Sequence, residues 1–131
     1  MANEADAFHP ICSVEQLNHA ACLEFILPEQ LTSEIAAKNI TTHEAFLINW
    51  HGEYHAYVNS CPHTHVSLNW TPNQFLDVES QFIQCSLHGA IFKPETGLCL
   101  RGPCLGQALS GLPIVLRKGF VCVDLNAYKG T

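Results

Sequence analysis

Residues 58–106 read VNSCPHTHVSLNWTPNQFLDVESQFIQCSLHGAIFKPETGLCLRGPCLG, and two short boxes inside this stretch decide how the chain is read. The first is Cys61-Pro62-His63, followed by Thr64 and His65; the second is Cys85-Ser86-Leu87-His88, followed by Gly89. Each pairs one thiol with one imidazole, as C-x-H and as C-x-x-H, and each follows directly on a run with strand character. A rigid sheet would therefore deliver both boxes to neighbouring loop tips.

Outward from the boxes, strand signals alternate with turn residues at short intervals. Residues 81–85 and 90–93 are short strands that flank residues 86–89. Residues 22–27 are strand-like and stop at Pro28. Residues 45–50 and 54–59 are separated by His51-Gly52-Glu53, a hairpin with Gly supplying the positive φ. Residues 112–116 and 120–125 surround Arg117-Lys118-Gly119, a second hairpin signal. Helical signals are few. Ser13 caps a short apolar repeat at Val14 and Leu17, enough for one or two turns, and residues 32–38 read as a short turn or a loop. Many short strands with close turns give an all-β expectation, an antiparallel β-sandwich or small barrel. There is no internal repeat, low-complexity run or linker, but residues 60–106 are richer in Cys, His, Pro and Gly than the flanks. The expected organisation is one domain: a base from residues 1–57 and 107–131, with a loop-rich subdomain, residues 58–106, inserted into it.

Composition narrows the function. The chain has 131 residues, 47% apolar and 14% charged, which suits one packed core rather than two, or disorder. No segment approaches the roughly 20 uncharged apolar residues of a membrane-spanning helix. Residues 1–9 carry Glu4 and Asp6 and lack the charge and apolar pattern of a secretory signal, so the expected location is cytoplasmic. Six basic against twelve acidic residues leave a formal charge of −6, which opposes binding to nucleic acid or to an anionic membrane. Seven Cys is an odd number with no sign of export, and with eight His it points to metal or redox chemistry rather than a disulfide framework. No P-loop, nucleophile elbow or G-x-G-x-x-G fingerprint is present, so neither a nucleotide cofactor nor a small-molecule substrate of its own is expected.

Thiolate and neutral imidazole are the ligands that soft and borderline metals prefer. Two Cys and two His on paired loops suit either a tetrahedral zinc ion or a [2Fe–2S] cluster with both His on one iron. Four unrelated residues, two buried Cys and two surface His, are the reading without a metal.

The strings CPHTHVSLNW and QFIQCSLHGAIFKPETGLCLRGPC resemble the two cluster-binding loops of the Rieske [2Fe–2S] family. The likeness takes in both boxes, Phe92 shortly after the second, Thr96-Gly97 in the next turn and Gly102-Pro103 as a third loop, and it is strong over residues 58–106. It implies a Rieske fold with a [2Fe–2S] cluster whose buried iron is held by Cys61 and Cys85 and whose outer iron is held by His63 and His88. The second box begins 24 positions after the first (85 − 61), longer than usual in small ferredoxin members. Residues 69–80, with Pro72, read as a modest surface insertion.

The mixed ligand set has an electrostatic consequence. Two ferric ions and two sulfides sum to +2; two thiolates cancel this, whereas four would leave −2. A neutral oxidised cluster takes an electron more readily, in line with about −150 to +300 mV for Rieske centres against about −400 mV for plant-type ferredoxins. High-potential members carry an extra Cys in each box, joined as a disulfide, and a Ser and a Tyr that hydrogen-bond the cluster sulfurs. Here those positions hold Val66, Leu87, Ala90 and Phe92, which implies a low-potential centre.

The remaining candidates have plainer readings. His65 is a surface residue beside the cluster, with His63 preferred as ligand. Cys99 and Cys104 are two reduced thiols packed in or near the third loop. Cys12, Cys22 and Cys122 belong to the core, Trp50, Trp70 and Phe92 to packing, and His43, His51 and His55 have no assigned role.

The resemblance implies a one-electron carrier, a Rieske-type ferredoxin between a reductase and a terminal acceptor such as an oxygenase, and not an enzyme on its own. Three alternatives stay open: a Rieske-like small subunit of a larger oxidoreductase of the nitrite-reductase type, a structural zinc domain, and a redox or iron–sulfur sensor. A self-contained ring-hydroxylating oxygenase is set aside, since it needs a second, mononuclear iron site and a further domain.

Overall fold

A computed structural model describes residues 7–19, 21–37, 40–62, 67–69, 74–77, 81–86 and 89–128. The chain begins with β1 (Phe8–Ser13), which leads directly into α1 (Val14–His19). The turn into α1 is a capping box: the Gln16 N–H donates to Ser13 Oγ at 3.1 Å, and the Ser13 N–H donates back to Gln16 Oε1 at 3.1 Å. After β2 (Cys22–Ile26), Pro28 precedes α2 (Glu29–Ala36), a helix of two turns where the sequence suggests a turn or loop at 32–38. Leu31 and Ile35, four residues apart, bury one face of it and hold it against the base.

The centre of the molecule is the hairpin of β3 (Glu44–Trp50) and β4 (Glu53–Val58). Its two turn residues, His51 and Gly52, both have positive φ (53° and 86°), the geometry that matches the twist of the strands. β2 and the short β8 (Gly111–Leu112) flank it, giving the antiparallel order β2-β3-β4-β8. A second sheet, β1-β10-β9, pairs β1 with the hairpin of β9 (Ile114–Arg117) and β10 (Phe120–Asp124). A third, β5-β6-β7, is built from β5 (Ile83–Gln84), β6 (Ile91–Phe92) and β7 (Cys99–Arg101). The fold is all-β, with every pairing between these strands antiparallel.

The central hairpin is a wall between two cores. Successive side chains on a strand point to opposite faces. Ala45, Leu47, Ala56 and Val58 accordingly face a core shared with Leu17, Leu31, Ile35, Val121 and Val123. Phe46, Ile48 and Tyr57 face the other, with Cys61, Leu68, Phe75, Ile83, Cys85, Phe92, Cys99 and Cys104. The register agrees, with Ala45 opposite Val58, Leu47 opposite Ala56 and Phe46 opposite Tyr57. Burial on both faces explains why β3 is an unbroken apolar run rather than an alternating one.

The described part of the segment expected to be a surface insertion is a correction to that reading. Phe75 is only 1% exposed and stacks on Phe46 with ring centroids 4.0 Å apart and planes 6° from parallel. Such a pair is worth about 0.5–1.5 kcal/mol beyond its burial. The Phe75 carbonyl accepts the Gln84 N–H at 2.9 Å, and Leu76 bridges to Ile83, so this segment braces β5 from the side. Pro72 lies outside the described residues.

Candidate metal centre

β4 ends at Val58, and the next two residues are polar yet buried. Asn59, 1% exposed, donates its N–H to the Glu44 carbonyl at 2.9 Å, which continues the β3–β4 pairing by one step. Its side chain points the other way along the chain: Oδ1 accepts the Leu68 N–H at 2.7 Å, and Nδ2 donates to Asn69 Oδ1 at 3.0 Å. Asn69 in turn donates to Glu24 Oε1 at 2.9 Å, reaching back to β2. One side chain thus clasps both ends of the loop that carries the first box. Asn59 was not among the sequence candidates; its only signal is an amide at the end of an otherwise apolar strand.

The second box is positioned by β5. The Cys85 N–H donates to the Ala90 carbonyl and the Gly89 N–H to the Cys85 carbonyl, both at 2.9 Å, bringing Gly89 and Ala90 back against Cys85. The Ser86 N–H donates to the Leu68 carbonyl at 2.7 Å. Leu68 therefore takes Asn59 on its N–H and the second loop on its C=O. The two loops are thus joined by a backbone hydrogen bond from Ser86 to Leu68.

Cys61 and Cys85 both have 0% exposure and lie in the same apolar core. None of the seven cysteines is in a disulfide. His63 and His88, the expected imidazole ligands, lie outside the described residues, as do His65, Val66, Leu87 and Trp70. Among the described residues no group of three or more His, Cys, Asp or Glu is arranged to hold a metal. Two unlinked thiols sunk in one apolar core, on loops latched together, fit a group that takes both as thiolates. Buried thiolates without a positive partner would be expensive, and a metal held by both would supply that partner.

The third loop closes over the second box. Gly102 sits at φ +112°, and a methyl group there would meet Ala90 Cα and Cβ, both at 2.9 Å. Gly102→Ala is expected to lift this loop off Ala90 at about 1–3 kcal/mol for the backbone strain alone. A melt of the loaded protein should show a fall of several degrees in Tm; an unchanged Tm would mean the contact is slack. Inside the loop, Cys99 and Cys104 are buried with their Sγ atoms 2.9 Å apart. Burial pushes the Cys104 thiol up to about 12, helped by its hydrogen bond to Cys99 and by the charges of Cys99 and Cys61; Cys104 and Cys61 share one core. Cys12, Cys22 and Cys122 are core residues, each thiol raised chiefly by burial. Phe92 is fully buried, and Trp50 packs partly buried against the same core.

The Rieske [2Fe-2S] domain pattern matches residues 7–117, most of the chain and all three of these loops. The chain belongs to the Rieske [2Fe-2S] domain family. Its cofactor is accordingly a [2Fe–2S] cluster. A comparison with curated proteins finds no match. Among solved structures, the Rieske chain is similar to the Sphingomonas yanoikuyae B1 ferredoxin, with TM-score 0.64 and 20% identity over 89% of this chain and 97% of that one. It is also similar to a chain in the complex of reduced oxygenase and oxidized ferredoxin in carbazole 1,9a-dioxygenase, with TM-score 0.63 and 16% identity over 91% and 94%. Its likeness to the terminal oxygenase of carbazole 1,9a-dioxygenase from Novosphingobium sp. KA1, with TM-score 0.66 and 19% identity, covers 88% of this chain and 29% of that one. These likenesses establish the Rieske fold. No helix among the described residues is long and apolar enough to cross a membrane.

Proposed function

We propose that the chain is a one-electron carrier, a Rieske-type ferredoxin whose cluster is held by Cys61 and Cys85 on the buried iron and by His63 and His88 on the outer one. The cluster supplies single-electron transfer; the protein supplies its position, its potential and its docking face. The observation that carries the reading is the pair of fully buried thiols, Cys61 and Cys85, on loops tied through Leu68. Likeness over nearly the whole length of a ferredoxin supports the carrier role. We take residues 1–131 as one Rieske domain, with its base at 1–57 and 107–131 and the cluster-binding part at 58–106.

Ala90 and Phe92 are both fully buried at the positions where hydroxyl donors raise the potential in other members, and neither side chain offers a donor. Fewer hydrogen bonds to the sulfurs leave the reduced state less stabilised. Film voltammetry is expected to show one reversible one-electron wave towards the lower end of the Rieske range, near about −150 mV. A wave near the upper end, about +300 mV, would contradict the low-potential assignment.

The partners are a reductase and a terminal acceptor such as an oxygenase. The formal charge of −6 selects docking faces that are basic, so electron transfer to such a partner slows as salt rises. Leu98 just before β7, Leu100 on β7 and Leu105 in the third loop are exposed, giving the charged surface an apolar contact beside the boxes.

A further inference from the structure

Cys99 and Cys104 have no part in holding the cluster, yet they are placed for chemistry. Cys104 is the one buried residue between Leu100 and Ala108, turned inward from an otherwise exposed loop to meet Cys99. The Cys104 thiol donates to Cys99 Sγ at 2.9 Å, and the Cys99 thiol donates to the Arg101 carbonyl at 3.3 Å. The backbone holds the two together independently: the Cys99 N–H donates to the Gln107 carbonyl and the Gln107 N–H to the Cys104 carbonyl, both at 2.8 Å. The sulfurs are separated by about 0.9 Å more than a disulfide bond length, a gap that side-chain rotation closes.

We propose that Cys99 and Cys104 form a reversible disulfide, made by a peroxide, that locks the third loop over the cluster site. Cys99 Sγ, the acceptor of the Cys104 thiol, attacks the peroxide as a thiolate; the O–O bond breaks, a sulfenic acid forms, and the released hydroxide leaves as water with the Cys99 proton. The second sulfur attacks the sulfenic sulfur; the S–S bond forms, the S–O bond breaks and a second water leaves. Two thiols thereby give two electrons and two protons to hydrogen peroxide, which becomes two waters. A thiol reductant reverses the step through a mixed disulfide.

The place of the pair gives the bond its consequence. Between the two cysteines lies Gly102, whose backbone is seated against Ala90, and the Ala90 carbonyl holds the Cys85 N–H. A cross-link from 99 to 104 fixes the segment that presses on the second box. Residues 101–103 and 105–108, on either side of the buried Cys104, are exposed, so only a short opening of this loop separates the sulfurs from solvent.

The test is mass analysis of the full, cluster-loaded chain after limited hydrogen peroxide, quenching, denaturation and alkylation. The expected result is that Cys99 and Cys104 lose both alkylatable thiols and the peptides are joined and lighter by two hydrogens. Dithiothreitol should restore both thiols, and Cys99→Ala or Cys104→Ala should each abolish the link. Two alkylated cysteines in the treated wild-type chain, a sulfinic acid at either position, or a link from either to Cys61 or Cys85 would each overturn the proposal. The readout is mass rather than colour, so it is independent of whether Cys61, His63, Cys85 and His88 are the cluster ligands.

Discussion

Replacing Cys61 or Cys85 by Ala is expected to leave a protein with no visible absorption and no bound iron or sulfide, even after anaerobic reconstitution. Each thiol has no exposure, so the cluster loses a ligand that solvent cannot replace. Losing one thiolate also leaves an oxidised cluster with a formal charge of +1 in an apolar core, where an uncompensated charge is strongly disfavoured. The comparison that gives the result meaning is Cys22→Ala and Cys122→Ala. These are also buried thiols, Cys22 in the core that holds Cys61 and Cys85, and their loss should alter stability while leaving full colour. If Cys85→Ala kept the wild-type spectrum and iron content, the ligand assignment would be wrong.

Asn59→Ala should have the next largest effect, although Asn59 is not proposed to touch iron. Its amide is the clasp of the first loop, and truncation strips the buried Leu68 N–H of its acceptor and Asn69 Oδ1 of one donor. A buried group left without its hydrogen bond costs about 1–3 kcal/mol, so the loss at Leu68 alone predicts a destabilisation of about 1–3 kcal/mol. Because Leu68 also carries the bond to Ser86, the second loop loosens with the first. Chelator challenge of the loaded variant should release iron faster than wild type, while the spectrum of the surviving fraction stays unchanged. A melt and a release rate equal to wild type would show that the loops are held by something else.

Much of this was legible in the sequence because it is local. The Ser13 and Gln16 capping box, the positive-φ residues of the two hairpins and both boxes are patterns within a few residues. The parts that were not legible depend on partners distant in sequence or on position in the sheet. β1 contains Pro10, which argues against a strand, but β1 is the edge of its sheet and has a register shift between Pro10 and Cys12, where Pro is tolerated. α2 carries Thr32 and Ser33, weak helix formers, and is held by the burial of Leu31 and Ile35. Phe75 lies in a polar stretch that reads as surface, and only its stack on Phe46, 29 positions earlier (75 − 46), makes it core. Asn59 is invisible for the same reason, since an amide shows its use only when Leu68 and Asn69 fold back onto it.

The central claim, a [2Fe–2S] cluster held by two Cys and two His, is tested most directly by the EPR spectrum of the dithionite-reduced protein. The account predicts a brown protein whose reduced form has the low average g value of a His-ligated [2Fe–2S] centre. A colourless protein holding stoichiometric zinc that fails to reconstitute with iron and sulfide, or a reduced signal of the all-Cys type, would contradict it.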